Sequence, residues 1–160
     1  MEGVTKAYRD ARSRRGDSTT PFELTSAILS DCMFRTPALR MAEGHSRRGM
    51  PVYSYLFTWK SPALSGLMGA CHALELGFVF GTYDAGFCGR GPDADMLSQR
   101  MQDAWLAFAR SGTPTCPSLG EWPDYGQRRR TMLLGTDCRL VEAPLEAERR
   151  VWETLSGGPG

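Results

Sequence analysis

The chain has 160 residues, 41% of them hydrophobic and 23% charged, and a formal net charge of +1. That length suits one domain with a moderate core, and the composition excludes an intrinsically disordered chain. The balanced charge gives no reason to expect nucleic acid or a membrane surface as a partner, and no apolar run approaches the ~20 residues that cross a bilayer.

The first predicted element is a polar lead-in over residues 1–18, rich in Arg, Ser and Asp, which we interpret as a helix remnant followed by a loop. A helix start follows it. Thr20 is suited to cap the helix, Pro21 to occupy its first position, and Glu23 completes a capping box three residues after the cap. The sequence therefore predicts a helix that begins at Pro21.

Apolar side chains recur at helical spacing after this start. Phe22, Leu29 and Met33 fall on one face, which predicts an amphipathic helix. Thr36 and Pro37 then repeat the start signal, because proline favours the first helical position. A second helix is therefore expected from this point to about Gly44 or beyond.

The segment 52–59 is the first predicted strand. It is aromatic and β-branched with apolar residues on both faces, which is typical of a strand inside a covered sheet. A loop built from Ala, Ser, Gly and Leu leads from Pro62 to Gly69. The next stretch, 69–81, reads GACHALELGFVFG and places a histidine in a small-residue loop directly before an apolar run.

A long helix is the strongest signal in the second half. After a Gly-rich loop, apolar residues recur along one face over 93–111, and Gly112 is placed to end the helix. The Pro- and Gly-rich connection that follows carries Trp122 and Tyr125, which we expect to be packed down as anchors.

The last predicted elements are a hairpin and a helix. Two short apolar runs, 131–134 and 139–141, flank a Gly-Thr-Asp turn, which predicts a β-hairpin. Pro144 is expected to start the final helix, and the tail over 156–160 is expected to be loose.

The cysteines and the N-terminus bear on location and cofactors. The five cysteines are odd in number and widely spread, and no C-x-x-C pair occurs, so neither a disulfide framework nor a zinc site is indicated. The first residues have no apolar core and do not resemble a secretory signal. We therefore expect a cytoplasmic protein with reduced thiols.

The loop histidine is the main candidate for chemistry. His72 lies among small residues, where a histidine can be held rigidly and still face a cleft, and we interpret it as a general base. On this local context alone, a surface or hydrogen-bonded structural histidine fits as well. His45, among Ser and Arg, is interpreted as a solvated loop residue. Cys71 is interpreted as a small buried residue, because adjacent residues seldom present both side chains to one substrate atom.

Several separated motifs occur in one order along the chain. They are FRTPALR at 34–40, YLFTW at 55–59, GACHALELGFVFG at 69–81, MQDAWLAFARSGTP at 101–114 and WPDY at 122–125. Together they closely resemble the C-terminal part of the type-B carboxylesterases, the α/β-hydrolase family that includes cholinesterases and bacterial para-nitrobenzyl esterases. The resemblance covers nearly the whole chain. It departs at Gly77, where many relatives carry proline.

This resemblance implies a fold. It would be α/β, namely the C-terminal portion of an α/β-hydrolase fold with several helices packed on a few sheet strands. Residues 1–160 would form a single C-terminal segment of that domain.

The resemblance also implies an activity, carboxylic ester hydrolysis by a Ser-Glu-His triad without metal or cofactor, in which His72 is the histidine. In this fold the triad follows the order nucleophile, acid, histidine. No G-x-S-x-G and no glycine-rich oxyanion-hole segment occur in the sequence. The serine and the glutamate are therefore expected outside these residues, and the chain alone is expected to be inactive.

The aromatic residues near His72 can be interpreted in two ways, as pocket lining or as core. Trp59, Phe78 and Phe80 are candidates to line an apolar acyl or alcohol pocket, but aromatic residues after a strand are more often plain core. Glu75 is not interpreted as the triad acid. It is expected in the first turn of the following helix, where a carboxylate favours the positive end.

Three functional hypotheses follow. The first is a histidine-bearing segment of a serine carboxylesterase that acts on a small carboxylic ester with the N-terminal portion of the same enzyme or a partner chain. The second is a non-catalytic fragment or interaction module. The third is a zinc or thiol enzyme built on Cys71, His72 and the other cysteines. A sheet fragment without its central strands would leave apolar faces and edges around 52–59 uncovered, which predicts a partner or self-association. In the family that the chain resembles, the late helices often form dimer contacts, so the resemblance makes 93–111 and 144–155 candidate homodimer contacts.

Overall fold

The computed structural model describes residues 2–155, so the predicted loose tail lies outside the described residues. Among these residues, contacts define two compact units, residues 2–50 with 143–155 and residues 51–142. In chain order the elements are α1 (Glu2–Arg15), α2 (Pro21–Ser30), a π turn (Asp31–Arg35), α3 (Thr36–Arg47), β1 (Tyr55–Phe57), a 3-10 turn (Ala63–Gly66), α4 (Leu74–Phe80), α5 (Ala85–Cys88), α6 (Pro92–Ser111), β2 (Arg130–Leu134), β3 (Arg139–Glu142) and α7 (Glu146–Leu155).

The lead-in is more structured than its polar composition suggested. Helix α1 covers 14 residues and buries Tyr8 and Ala11. The Tyr8 hydroxyl donates a hydrogen bond to the Asp31 carboxylate at 2.5 Å and accepts one from the Trp152 indole at 2.6 Å. These contacts hold the lead-in as a helix, where the sequence predicted only a remnant and a loop.

The predicted start of α2 is confirmed. Pro21 is the first helical residue, and the Thr20 hydroxyl accepts a hydrogen bond from the Glu23 amide at 3.3 Å. This bond satisfies one of the amides that a helix start leaves without an intrahelical partner.

The predicted second helix is confirmed as α3, Thr36–Arg47, but the helix before it does not break at Thr36. It continues from α2 to α3 through the π turn, in which the Thr36 amide donates to the Asp31 carbonyl five residues earlier. Pro37 has no amide hydrogen, and its ring crowds the preceding turn. A π turn is wider than an α turn and accommodates such a site, so the proline marks a bulge.

The apolar face predicted for α2 is exposed in this unit. Phe22, Leu29 and Met33 are all exposed, whereas the buried side chains of α2 and the π turn are those of Leu24 and Asp31. The buried side of α2 and the π turn is therefore not the face that the apolar periodicity predicted.

The second unit contains a three-stranded sheet in the order β1-β2-β3. Strands β2 and β3 pair antiparallel, which confirms the predicted hairpin, and β1 pairs parallel to β2 with Tyr55 opposite Met132. The strand predicted over 52–59 is only three residues long, and its pairing continues through the Thr58 amide, which donates to the Leu134 carbonyl at 2.7 Å. Among the described residues β1 is an edge strand with Tyr55 exposed, so it does not lie inside a covered sheet.

Helix α6 provides most of the core on one side of this sheet. It spans 20 residues and ends at Gly112, whose φ of 76° is left-handed, as the sequence predicted. Leu97 and Met101 are completely buried on its predicted apolar face, and Trp122 and Tyr125 are buried anchors as expected. These predictions are confirmed because each rests on a local signal that agrees with the tertiary packing.

Two short segments differ from expectation. The Gly-rich loop before α6 contains the single-turn helix α5, capped by the Asp84 carboxylate, which accepts from the Phe87 amide. Helix α7 begins at Glu146 rather than at Pro144, because Ala143 and Leu145 have positive φ angles of 45° and 55°.

None of the described helices combines the length and apolar character that a bilayer span requires.

Candidate active site around His72

The candidate site begins where the chain leaves β1. The Thr58 amide is bonded to Leu134 of the neighbouring strand, and the Trp59 indole N–H donates to the Cys88 carbonyl at 2.7 Å. The first residues after the strand are therefore attached both to the sheet and to the end of α5.

The following loop is closed at its neck by Ser61 and Gly69. The Ser61 amide donates to the Gly69 carbonyl at 2.9 Å in an isolated antiparallel bridge. The Ser61 side chain is buried, and its hydroxyl donates to the Phe87 carbonyl and accepts from the Ala63 amide at 3.1 Å. Because its hydroxyl is committed to backbone groups, Ser61 is a structural residue and not a free nucleophile.

Backbone strain is concentrated between this neck and the histidine. Leu64, Ser65 and Ala73 have φ angles of 51°, 56° and 63°, and they are half of the six non-glycine residues with positive φ in residues 2–155. Such conformations cost of order 1–3 kcal/mol each and cluster at functional sites, where surrounding structure holds them. The segment 61–73 therefore has the backbone character of a site.

His72 itself is exposed and directly precedes a rigid support. Ala73 adopts the left-handed conformation at the start of α4, and the Leu74 amide donates to the Cys71 carbonyl at 3.3 Å. Leu74 and Phe78 are buried and fix α4 in the core of the unit. The fold thus presents an accessible imidazole on a backbone that is fixed on both sides.

The three aromatic candidates occupy different environments. Trp59 is partly buried and its ring lies 5.5 Å from that of Phe78, which has no exposed surface, so the structure brings these two together in the core. Phe80 is 71% exposed at the end of α4 and lies on the surface. Their proposed contact with substrate stays a prediction.

Glu75 lies in the first turn of α4, as expected. Burial first, and then the charge of Glu75, raise the pKa of the Tyr55 phenol, so this carboxylate acts electrostatically on β1. This is compatible with the interpretation that Glu75 is not the triad acid.

The residues that the sequence alone did not single out are those of the loop tip. Leu64, Leu67 and Met68 are exposed apolar side chains between the Ser61 neck and His72. Their periodicity gave no signal, because the loop is irregular. The only sequence clue was its unusual content of small and apolar residues between a strand and the histidine.

The described part of the chain gives little support to the hypotheses of a metal enzyme or a thiol enzyme. Within residues 2–155, no three His, Cys, Asp or Glu side chains come together as metal ligands would. The five cysteines are free thiols. Cys71 is partly buried, and burial raises the pKa of the buried Cys88 thiol, which lowers its thiolate fraction.

Comparison with known proteins gives the context of this site. Residues 1–152 match the Carboxylesterase family. The chain is 35% identical over 141 residues to the para-nitrobenzyl esterase of Bacillus subtilis (strain 168), covering 81% of this chain and 27% of that protein. It is 32% identical over 117 residues to the phenmedipham hydrolase of Pseudarthrobacter oxydans, covering 69% of this chain and 23% of that protein. The chain therefore spans about a quarter of the length of these curated relatives.

Solved structures agree with the sequence match. A carboxylesterase of Geobacillus stearothermophilus superposes with a TM-score of 0.76 and 30% identity, over 95% of this chain and 32% of that chain. An esterase from Clostridium hathewayi, at 21% identity, shares the fold with a TM-score of 0.74. The expected part of an α/β-hydrolase fold, with several helices and a small sheet, is confirmed. The chain belongs to the carboxylesterase family.

Proposed function

We propose that this chain supplies the histidine of a serine carboxylesterase that hydrolyses small carboxylic esters, and that His72 is the general base. The observation that carries the proposal is the placement of His72, exposed between a strained loop and the buried first turn of α4. Membership in the carboxylesterase family supports the reaction class.

The proposed reaction needs two proton transfers at the His72 imidazole. The ring nitrogen takes the proton of a serine hydroxyl as that oxygen attacks the ester carbonyl, and it returns the proton to the departing alcohol. A glutamate would hold the second ring nitrogen and stabilise the imidazolium. Neither metal nor cofactor takes part in these steps.

The serine and the glutamate would come from outside this chain. No G-x-S-x-G occurs in the sequence, and the buried Ser61 hydroxyl is committed to backbone groups. We propose that the N-terminal portion of the same enzyme, or a partner chain, supplies both residues. The free thiols fit the proposed cytoplasmic location.

The active-site pocket would use residues close to His72. Phe80 is exposed and available for contact with an acyl or alcohol group, whereas Trp59 and the buried Phe78 would act by supporting the α4 turn from below. We therefore propose that Phe80 makes most of the substrate contact, and that Trp59 and Phe78 determine the shape of the pocket.

The proposal is tested with a fluorophosphonate probe and para-nitrophenyl acetate. The isolated chain should neither be labelled nor hydrolyse the ester faster than free imidazole does. Addition of the N-terminal portion of a para-nitrobenzyl esterase should restore labelling and turnover, and His72→Ala should remove the turnover. Covalent labelling of the isolated chain would contradict the proposed division of the triad.

The second histidine is the matched control. The His45 ring nitrogen lies 3.0 Å from the Met41 carbonyl oxygen within α3. In the sequence, His45 is outside the loop that carries His72. His45→Ala should leave the restored turnover unchanged. If both variants lose it equally, the histidines act through stability and His72 is not the base.

A binding role is the second candidate, because several apolar side chains are exposed on the helices. Phe22, Met33, Phe34 and Met41 lie along the α2–α3 helical stretch. Such a surface is typical of a contact with another chain. We propose that a partner chain covers it, with α6 and α7 as candidate homodimer contacts; light scattering that gives a monomer at high concentration would count against a homodimer.

A further inference from the structure

The short helix α5 contacts both ends of the segment that carries His72. Before the histidine, the Ser61 hydroxyl donates a hydrogen bond to the Phe87 carbonyl at 2.5 Å. After the histidine, the Cys88 sulfur lies 4.0 Å from the Leu74 carbonyl oxygen. One turn of helix, later in the chain, is therefore attached to this segment on both sides of the imidazole.

The backbone of α5 explains why it accepts these bonds. The last carbonyls of a helix have no partner within the helix, and in α5 they include those of Phe87 and Cys88. The Ser61 hydroxyl bonds the first, and the Trp59 indole N–H bonds the second at 2.7 Å. At the next residue, Gly89, a Cβ would lie only 3.7 Å from the Trp59 ring, so the chain leaves α5 in contact with the start of the loop.

Ser61 joins this attachment to the neck of the loop. Its hydroxyl bonds α5, while its amide donates to the Gly69 carbonyl at 2.9 Å. Gly69 lies three residues before His72. Ser61 is 1% exposed, so solvent does not compete for the bond between its hydroxyl and the Phe87 carbonyl.

The backbone between the neck and α4 is strained and depends on such attachments. Leu64, Ser65 and Ala73 have positive φ angles, and conformations of this kind persist only where surrounding structure holds them. Leu64 and Ser65 are exposed, so packing at the tip of the loop does not supply that support. The buried residues that do supply it are Ser61 on one side and Leu74 on the other.

We propose that Ser61 is a positioning residue for His72, because its hydroxyl fixes the neck of the loop to α5 and so sets where the imidazole lies. The inference rests on the proposed function, in which His72 is the general base. A displacement of about 1 Å at a reacting group can lower a rate about a hundredfold, so Ser61 can affect the reaction without touching the substrate.

Backbone ¹⁵N order parameters of the 160-residue chain test the positioning directly. The His72 amide should be rigid in wild type, at about 0.85, and should fall below about 0.6 in Ser61→Ala, while the amide of Leu97 in α6 keeps its wild-type value. Ser65→Ala is the matched control, because it removes an exposed hydroxyl from the same loop. A His72 value that stays unchanged in Ser61→Ala, or that falls equally in Ser65→Ala, would overturn the proposal.

Restored turnover with the N-terminal portion of a para-nitrobenzyl esterase tests the consequence for catalysis. Ser61→Ala should lower kcat about ten- to hundredfold and leave KM within about twofold, because the contacts with the ester are unchanged. An unchanged kcat would overturn the positioning role. Turnover that survives His72→Ala would instead overturn the general base, and the order parameters distinguish the two failures because they need no ester. If Ser61→Ala does not fold by circular dichroism, a wild-type His72 order parameter below about 0.6 would refute the proposal.

Discussion

The substitution Gly77→Ala sets two physical effects against each other. Gly77 lies inside α4, where alanine normally stabilises a helix by roughly 0.5–1 kcal/mol. A Cβ at this position would lie 2.8 Å from the Tyr83 Cα atom and 2.9 Å from its Cβ. The first of these is backbone, so the contact cannot be relieved by a change of rotamer.

Tyr83 is also poorly placed to move away. Its ring stacks on the buried Phe78 ring at 5.1 Å with an interplanar angle of 9°, and its hydroxyl donates to the Asp95 carboxylate. Overpacking of this kind costs typically about 1–3 kcal/mol. After the helix-propensity gain is subtracted, the net cost ranges from about 0 to 2.5 kcal/mol, so Gly77→Ala should destabilise the chain by about 1 kcal/mol.

Urea unfolding followed by circular dichroism measures this difference. Gly44→Ala is the matched control, because Gly44 lies in α3 and a Cβ there meets nothing within 4 Å. It should raise the free energy of unfolding by about 0.5–1 kcal/mol. If Gly77→Ala is also stabilising, the close approach of α4 to Tyr83 does not limit this position, and the reasoning fails.

Three further predictions concern other contacts. Gly135→Ala would bring a Cβ within 3.2 Å of the Thr58 carbonyl carbon and still closer to the Thr58 hydroxyl. The free energy of unfolding, measured in urea, should therefore fall by about 1–3 kcal/mol, and the double variant with Thr58→Ala should recover part of that loss. Burial and the hydrogen bond to Asp31 raise the pKa of the Tyr8 phenol, so its contribution to stability is complete below about pH 10 and is lost as the pH rises further. Wild type should therefore lose stability more steeply than Tyr8→Phe above that pH, as measured by urea midpoints. Thr20→Ala should lower the free energy of unfolding by about 1 kcal/mol, whereas Thr20→Ser should be nearly neutral.

Each of these predictions has an outcome that would contradict it. Additive effects of Gly135→Ala and Thr58→Ala would mean that the two side chains do not clash. Parallel pH curves for wild type and Tyr8→Phe would remove the link between the phenol and alkaline stability. Equal losses for alanine and serine at position 20 would show that the hydroxyl is not the cap.

The candidate site was predictable only in part. The sequence around His72 indicated a histidine between small residues and an apolar run, and the order of motifs indicated the family, which is confirmed. The Ser61–Gly69 neck and the left-handed Ala73 were not predictable. The neck is anchored by the Ser61 hydroxyl, which donates to the Phe87 carbonyl 26 residues away, and the Ala73 conformation is strained and is held by packing. Sequence spacing alone also could not separate the buried Phe78 from the exposed Phe80.

Local signals settled those elements whose ends are defined by nearby residues. At the Thr20 cap, the Gly112 helix end and the 130–142 hairpin, the backbone hydrogen bonds are made to residues nearby in the sequence. The local sequence was therefore enough to predict these three features. Tertiary structure decided the rest. Arg35, four residues along the same helical stretch, and Tyr8, 23 residues away, both donate to the Asp31 carboxylate, and only tertiary packing brings the Tyr8 hydroxyl to it.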